Sequence, residues 1–233
     1  FSYLGDTARL PYVNEVTRLS AANKFVYNQF LDTLGVDAIV VACHSASSVV
    51  LDRQTSEQGT PLYNVITPSC EEAIKLTKNH SVGVMATKAT VSSGVYAKYI
   101  NKLSNSIKVT SQACPLLVPL VEENLIIDEF TELALRRYLQ PILKQGADTI
   151  ILGCTHYPIL EDEIAKICGI QVHLINPAVS VANQLLESAT KTESTGKLSI
   201  YLTDHAPHFI DHAKNLLGTE LEVKLPPTHQ SPS

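Results

Sequence analysis

The sequence predicts an α/β fold of two pseudo-symmetric domains, with largely parallel sheets flanked by helices and the active site in the interdomain cleft. Three observations carry this expectation. Short apolar, β-branched runs alternate with helical stretches along the chain. The runs Ile39-Val40-Val41 and Ile150-Ile151-Leu152 are apolar on both faces, as central parallel strands covered by helices are. Both runs lie inside near copies of one another. Gly35 to Ser45 and Gly146 to His156 each open on Gly, carry Asp two residues on and place a cysteine at the same offset.

Taken in order, the chain opens on Phe1 to Asp6 like the end of a strand followed by a loop, so the natural protein is expected to be longer at its N-terminus. Strands are predicted at Ala38–Ala42, Leu62–Ile66, Val82–Met85, Ile107–Thr110, Thr149–Leu152, Val172–Ile175 and Leu198–Leu202. Helices are predicted at Val16–Leu34, Ser47–Gln54, Glu71–Thr77, Ser92–Leu103, Ile126–Lys144, Pro158–Cys168, Ala178–Ser188 and Pro207–Leu217. Ser69 with Glu72 three residues later reads as a capping box at a helix start. Pro158 suits a first helical position, and Glu161 a first turn. Lys191–Lys197 reads as a polar loop and Pro226–Ser233 as a frayed tail.

Composition narrows the function. The chain has 233 residues, 45% of them hydrophobic, ample for a large core. Its net charge of −5 is scattered and forms no basic stripe, which argues against nucleic acid and anionic membrane as partners. No apolar run approaches the roughly 18–20 residues of a membrane span. Five cysteines, with no close C-x-x-C pair, read as free thiols of a reducing compartment, so the cytoplasm is expected. No G-x-G-x-x-G or G-K-[ST] loop is present, and no lysine stands out as a Schiff-base site. No cofactor is expected.

The chemistry is expected at Cys43 and Cys154. Each ends a strand just before a helix, where α/β proteins bind ligands and where a helix N-terminus favours thiolate over thiol. A cysteine alone there is equally a small buried core residue; the repeated Cys-polar-polar context tips the reading toward function. Opposed thiols around one carbon are what inversion of a stereocentre requires. His156, two residues after Cys154, is placed to assist proton transfer. His44 reads either as a solvated turn residue or as a contact. Ser45 and Thr155 suit a carboxylate or a helix cap. Zinc on Cys43, His44, Cys154 and His156 is disfavoured by the awkward adjacent Cys-His pairs, so no metal is expected. Cys70, Cys114 and Cys168 lack the strand-end context and read as structural.

Motifs spread along nearly the whole chain resemble those of glutamate racemases, in the cofactor-independent aspartate/glutamate racemase superfamily. Leu152-Gly153-Cys154-Thr155-His156-Tyr157-Pro158 is identical to that family's L-G-C-T-H-Y-P motif. Tyr3 to Tyr12 is similar to its G-D-T-A-R-x-P-Y stretch, and Val41 to Ser47 to its A-C-N-T-A-S motif. Ala113 to Leu116 with Val118 to Glu122 matches another characteristic stretch.

The resemblance implies that one cysteine thiolate removes the α-proton of glutamate while the other thiol protonates the opposite face. It implies that Cys43 acts on D-glutamate, Cys154 on L-glutamate, and that His156 assists Cys154. Thr155, Ser45 and His44 would hold the α-amino and α-carboxylate groups, Tyr12 and Val13 would lie near the substrate, and Thr87 and Thr90 would contact the side-chain carboxylate or serve as a helix cap. It implies a bacterial source, D-glutamate for peptidoglycan, and domains of 1–66 plus 176–233 carrying Cys43 and 67–175 carrying Cys154. Aspartate or another acidic substrate is the alternative. The family includes dimers, and a homodimer is compatible with the sequence. The chain departs from the family pattern in three places. The sequence as given does not include the Asp-Ser-Gly segment that opens the family, Val13 stands where the loop after Tyr12 usually begins with Gly, and His44-Ser45 replaces Asn-Thr.

Overall fold

The computed structural model describes residues 1–7, 31, 34–56, 58–188, 197–204, 209–210, 213–214, 217–218 and 223–224. In chain order the strands are β1 (Ser2–Gly5), β2 (Ile39–Val41), β3 (Leu62–Asn64), β4 (Ser81–Ala86), β5 (Lys108–Ala113), β6 (Thr149–Gly153), β7 (His173–Ile175), β8 (Ser199–Leu202) and β9 (Val223–Lys224). These strands pair in parallel throughout, as the both-face apolar runs predict. From β2 to β8 helices connect successive strands, so the expected α/β class is what forms.

The chain divides into two compact units, Phe1–Pro11 with Thr190–Ser233, and Tyr12–Ala189. The smaller unit holds a sheet of order β1-β8-β9. Asp6 accepts a hydrogen bond from the Thr203 hydroxyl, and Tyr3 stacks on Phe209 with ring centroids 5.5 Å apart.

The larger unit holds the pair β2-β3 and a sheet of order β5-β4-β6-β7. Along β6 every residue is buried. Ile150 and Leu152 join Met85, Leu135, Leu139, Ile142 and Tyr157 on one face. Ile151 joins Val82, Val84, Tyr96 and Ile100 on the other, which is the two-residue alternation of a strand covered on both sides. β2 differs from that expectation: Ile39 and Val41 are buried, but Val40 is 39% exposed. One face of its apolar run therefore remains open to solvent.

The helix Glu129–Lys144 covers the first face. Its buried residues Thr131, Ala134, Leu135, Leu139 and Ile142 recur at helical spacing, and the Asp128 carboxylate caps it by accepting from Phe130 N–H. It lies so close to β4 that a Cβ on Gly83 would come within 2.3 Å of Ile142 Cγ2.

Several predicted boundaries are corrected. The helix expected from Glu71 runs Ile66–Leu76, and the strand before it stops at Asn64. Asn64 Oδ1 accepts from the N–H of both Ile66 and Thr67 and so starts the helix early. The supposed capping box is taken apart: Ser69 Oγ donates back to the Val65 carbonyl, and Glu72 accepts from Ser180. The helix expected at Ser47–Gln54 runs His44–Val50. The one expected at Ser92–Leu103 is two, Lys88–Ser93 and Val95–Leu103, broken by Gly94 at φ +65°. A helix at Leu117–Glu122 was not predicted. Pro158 lies in a 3₁₀ turn, Tyr157–Leu160, and the α-helix begins at Glu161 with three acids in its first turn. The predicted helix Val16–Leu34 lies almost wholly outside the described residues, as do the loop from Lys191 and the tail from Pro226; Pro207–Leu217 lies partly outside them.

Candidate active site

The two repeats carry their cysteines to equivalent positions. Gly35 and Gly146 open them with positive φ, +60° and +76°, and the strands that follow are β2 and β6. Cys43 lies just beyond β2, as the N-terminal cap of the helix His44–Val50. The backbone N–H groups of Ala46 and Ser45 point at its sulfur. Burial pushes its thiol up, and those two N–H groups hold the rise in check.

Cys154 directly follows Gly153 and is 6% exposed. A Cβ on Gly153 would come within 2.7 Å of the Met85 carbonyl oxygen, so only glycine lets the turn sit this close to β4. Burial pushes the Cys154 thiol up to about 12, countered by the His156 backbone N–H and the Thr155 hydroxyl. A negative charge on Cys43 raises it further. The two sulfurs therefore share one electrostatic field, in which ionising either makes ionising the other harder. Burial keeps both protonated near neutral pH, and once one has ionised the other is held as a thiol.

His156 is turned to Cys154, with Nδ1 3.9 Å from the sulfur. Its Nε2 lies 3.3 Å from a Glu122 carboxylate oxygen. A carboxylate accepts but does not donate, so it favours the tautomer with the proton on Nε2, leaving Nδ1 to accept from the thiol. Thr155 Oγ1 is 3.4 Å from the same Nδ1. Glu122 was given no role from sequence. It ends the unpredicted helix Leu117–Glu122, and nothing local to it signals a partner 34 residues on.

Ser45, Thr87 and Thr90 form a triangle of hydroxyls, with oxygens 3.1, 3.2 and 3.1 Å apart. Thr87 also caps the helix Lys88–Ser93 by accepting from Thr90 N–H, as the capping reading expects. Parallel register places this group beside Cys154: Ala86 pairs with Gly153, and the next residue of each chain is Thr87 and Cys154. The triangle links the helix after β2 to the helix after β4. Three rotatable hydroxyls are a ready set of donors for a carboxylate.

His44 is 4% exposed, so the solvated reading fails. Neither ring nitrogen has a hydrogen-bond partner among the described residues, and burial lowers its proton affinity to about 3, leaving it neutral. Tyr12 and Val13 lie outside the described residues. Of the cysteines read as structural, Cys70 and Cys114 are buried in core clusters. Cys168 ends its helix ahead of Gly169. Among the described residues no group of His, Cys, Asp or Glu is clustered as a metal site would be.

Parallel α/β layers carry two thiols just past equivalent strands, one of them with a histidine and a carboxylate beside it, and the family match makes the chain an isomerase of the racemase class. The chain belongs to the Asp/Glu/Hydantoin racemase family, whose sequence model matches residues 6–185. It is 38% identical over 229 residues to the glutamate racemase of Sulfurihydrogenibium sp., covering 95% of this chain and 85% of that one. It superposes on a glutamate racemase isoform from Bacillus anthracis with a TM-score of 0.88 at 32% identity, covering 96% and 86% of the two chains. With the glutamate racemase of Francisella tularensis in complex with D-glutamate the TM-score is 0.84 at 30% identity, over 96% and 86% of the chains.

Proposed function

We propose that this protein interconverts L- and D-glutamate by a two-thiol proton transfer. The observation that carries the reading is the placement of Cys43 and Cys154, each just beyond the strand of one repeat. The similarity to relatives described as glutamate racemases supports the substrate.

Starting from L-glutamate, the Cys154 thiolate takes the α-proton, and the electron pair left on Cα is delocalised into the α-carboxylate. The Cys43 thiol then gives its proton to the opposite face. The product is D-glutamate, with Cys154 as thiol and Cys43 as thiolate, the state that runs the reverse reaction. Before another L-glutamate reacts, His156, held by Glu122, takes the Cys154 proton and passes it to solvent, while Cys43 takes up a proton from solvent. Thr87 and Thr90 bind the side-chain carboxylate, while Ser45, Thr155 and His44 serve the α-amino and α-carboxylate groups, with Tyr12 and Val13 nearby. General acid–base catalysis contributes about 10²–10⁴-fold, and hydroxyl and N–H donors preorganised around the carboxylates supply more.

In this reading the enzyme is bacterial and cytoplasmic, needs no cofactor, and supplies D-glutamate for peptidoglycan. The test is incubation of the full-length protein with L-glutamate in deuterated water, with chelator and no added cofactor. Cα deuteration with decay of optical rotation to zero is the expected result. No exchange on glutamate from folded protein would overturn it, and exchange on aspartate instead would reassign the substrate.

A further inference from the structure

Tyr96 is a buried polar residue that the mechanism above leaves without a task. It lies in the helix Val95–Leu103, is 2% exposed, and its hydroxyl is buried with no hydrogen-bond partner among the described residues. A hydroxyl in that state is destabilising unless some state of the protein uses it.

Its placement says which. A Cβ built on Gly153 would come within 3.3 Å of Tyr96 Cε2. Cε2 is bonded to the ring carbon that bears the hydroxyl. The hydroxyl end of the ring therefore abuts Gly153, and Cys154 is the next residue. On another side the ring stacks with His44, with centroids 6.5 Å apart and planes at 27°. The ring thus contacts both cysteine-bearing turns.

We propose that Tyr96 is a positioning residue acting through Cys154: its hydroxyl donates a hydrogen bond to the Cys154 sulfur when that sulfur is a thiolate, and so holds the second base in its ionised form. The value of this to catalysis rests on the two-thiol reading; the interaction itself does not.

The surroundings favour Tyr96 for the part. Cys43 and Glu122 oppose ionisation of Cys154 by their charge, and Cys114 and Tyr157 also feel that charge. The Tyr157 hydroxyl is committed to the Cys114 carbonyl at 2.9 Å. His156 Nδ1, in the tautomer Glu122 favours, accepts rather than donates. The His156 backbone N–H and the Thr155 hydroxyl already donate to the Cys154 sulfur; of the remaining groups around it, Tyr96 has the uncommitted hydroxyl. Burial, with the nearby Cys70 and Cys154 adding to it, raises its phenol well above the usual range, so it stays a proton-bearing donor while the thiol titrates.

The experiment is the pH dependence of Cys154 alkylation by iodoacetamide, mapped by peptide mass spectrometry, with Cys43 read in the same samples. In Tyr96→Phe the Cys154 profile is expected to move up by about one pH unit or more, the worth of a hydrogen bond to a charged group. At a fixed pH below both midpoints, alkylation slows about tenfold or more. The Cys43 profile stays in place. The melting temperature does not fall, because the hydroxyl removed has no partner in the resting protein. Site-specific 3,5-difluorotyrosine at position 96, a stronger donor, shifts the Cys154 profile down. An unshifted Cys154 profile in both variants, or equal shifts at Cys43 and Cys154, would overturn the proposal. Absence of glutamate exchange by the unmodified enzyme would instead sink the racemase reading and leave these profiles as they are.

Discussion

His156 stands between Cys154 and Glu122, with one ring nitrogen 3.9 Å from the sulfur and the other 3.3 Å from the carboxylate. The carboxylate sets which nitrogen carries the proton, and so makes the other a base directed at the thiol. Cys43 has no such backing among the described contacts. It relies instead on the backbone N–H groups of Ser45 and Ala46. The two thiols are equivalent in the repeat but supported by different chemistry.

Glu122→Gln keeps the shape of that side chain and removes its charge. The expected result is a loss in kcat of about tenfold, equivalent to ~1.4 kcal/mol, with KM for glutamate little changed. Steady-state racemisation followed by circular dichroism measures it. A KM increase at constant kcat would mean that Glu122 serves binding and not His156.

Cys43→Ser and Cys154→Ser each replace a thiol by a far weaker acid. Each is expected to reduce racemisation by about 10²–10⁴-fold, the range of a lost general acid–base group. Because burial holds both thiols above their ordinary value, the wild-type kcat/KM should climb as pH rises from 7 toward 9. A pH-independent rate over that interval, or near-wild-type turnover in either variant, would contradict the two-thiol mechanism.

His44 titrates near pH 3 in the folded protein and near its ordinary value of 6.5 when unfolded. Between those values the unfolded chain takes up a proton that the folded chain refuses. The stability tied to His44 is therefore full above about pH 6.5 and is lost as pH falls toward 3, with a slope of at most about 1.4 kcal/mol per pH unit. His44→Asn removes that dependence. Acid unfolding monitored by far-ultraviolet circular dichroism should begin at lower pH in the variant.

Asp148 holds together the turn that leads into β4. Its carboxylate accepts from Thr77 Oγ1 at 2.7 Å, from the N–H groups of Lys78 and Asn79 at 2.8 and 2.9 Å, and from Thr149 Oγ1 at 3.0 Å. Burial alone would raise its proton affinity, but these four donors outweigh that and lower it. Asp148→Ala should destabilise the protein by about 2 kcal/mol, read as a fall in melting temperature of roughly 4–8 °C for a chain of this size. Unchanged melting would mean that water replaces the carboxylate without loss.

The parts legible in the sequence were those coded over short stretches. The repeat from Gly35 and from Gly146, the buried run of β6 and the strand-end cysteines all follow from local pattern, because strand period and turn-forming glycine act within a few residues. The Asp repeated in each copy was visible too, though the four donors gathered on Asp148 were not. Where local signals competed, sequence reading lost. Ser69 and Glu72 spell a capping box, yet Asn64 starts the helix first and leaves both side chains for other partners.

What only the tertiary structure decided is convergence. Glu122 reaches His156, Ser45 reaches Thr87 and Thr90, and Tyr96 reaches the turn at Gly153, each across tens of residues of chain. No local rule encodes those meetings. They depend on the parallel register that sets Ala86 beside Gly153, and on the absence of a side chain at Gly153, which lets the turn close against β4. The sequence determined by itself which residues could do chemistry; strand register and packing decided which of them stand within reach of one another.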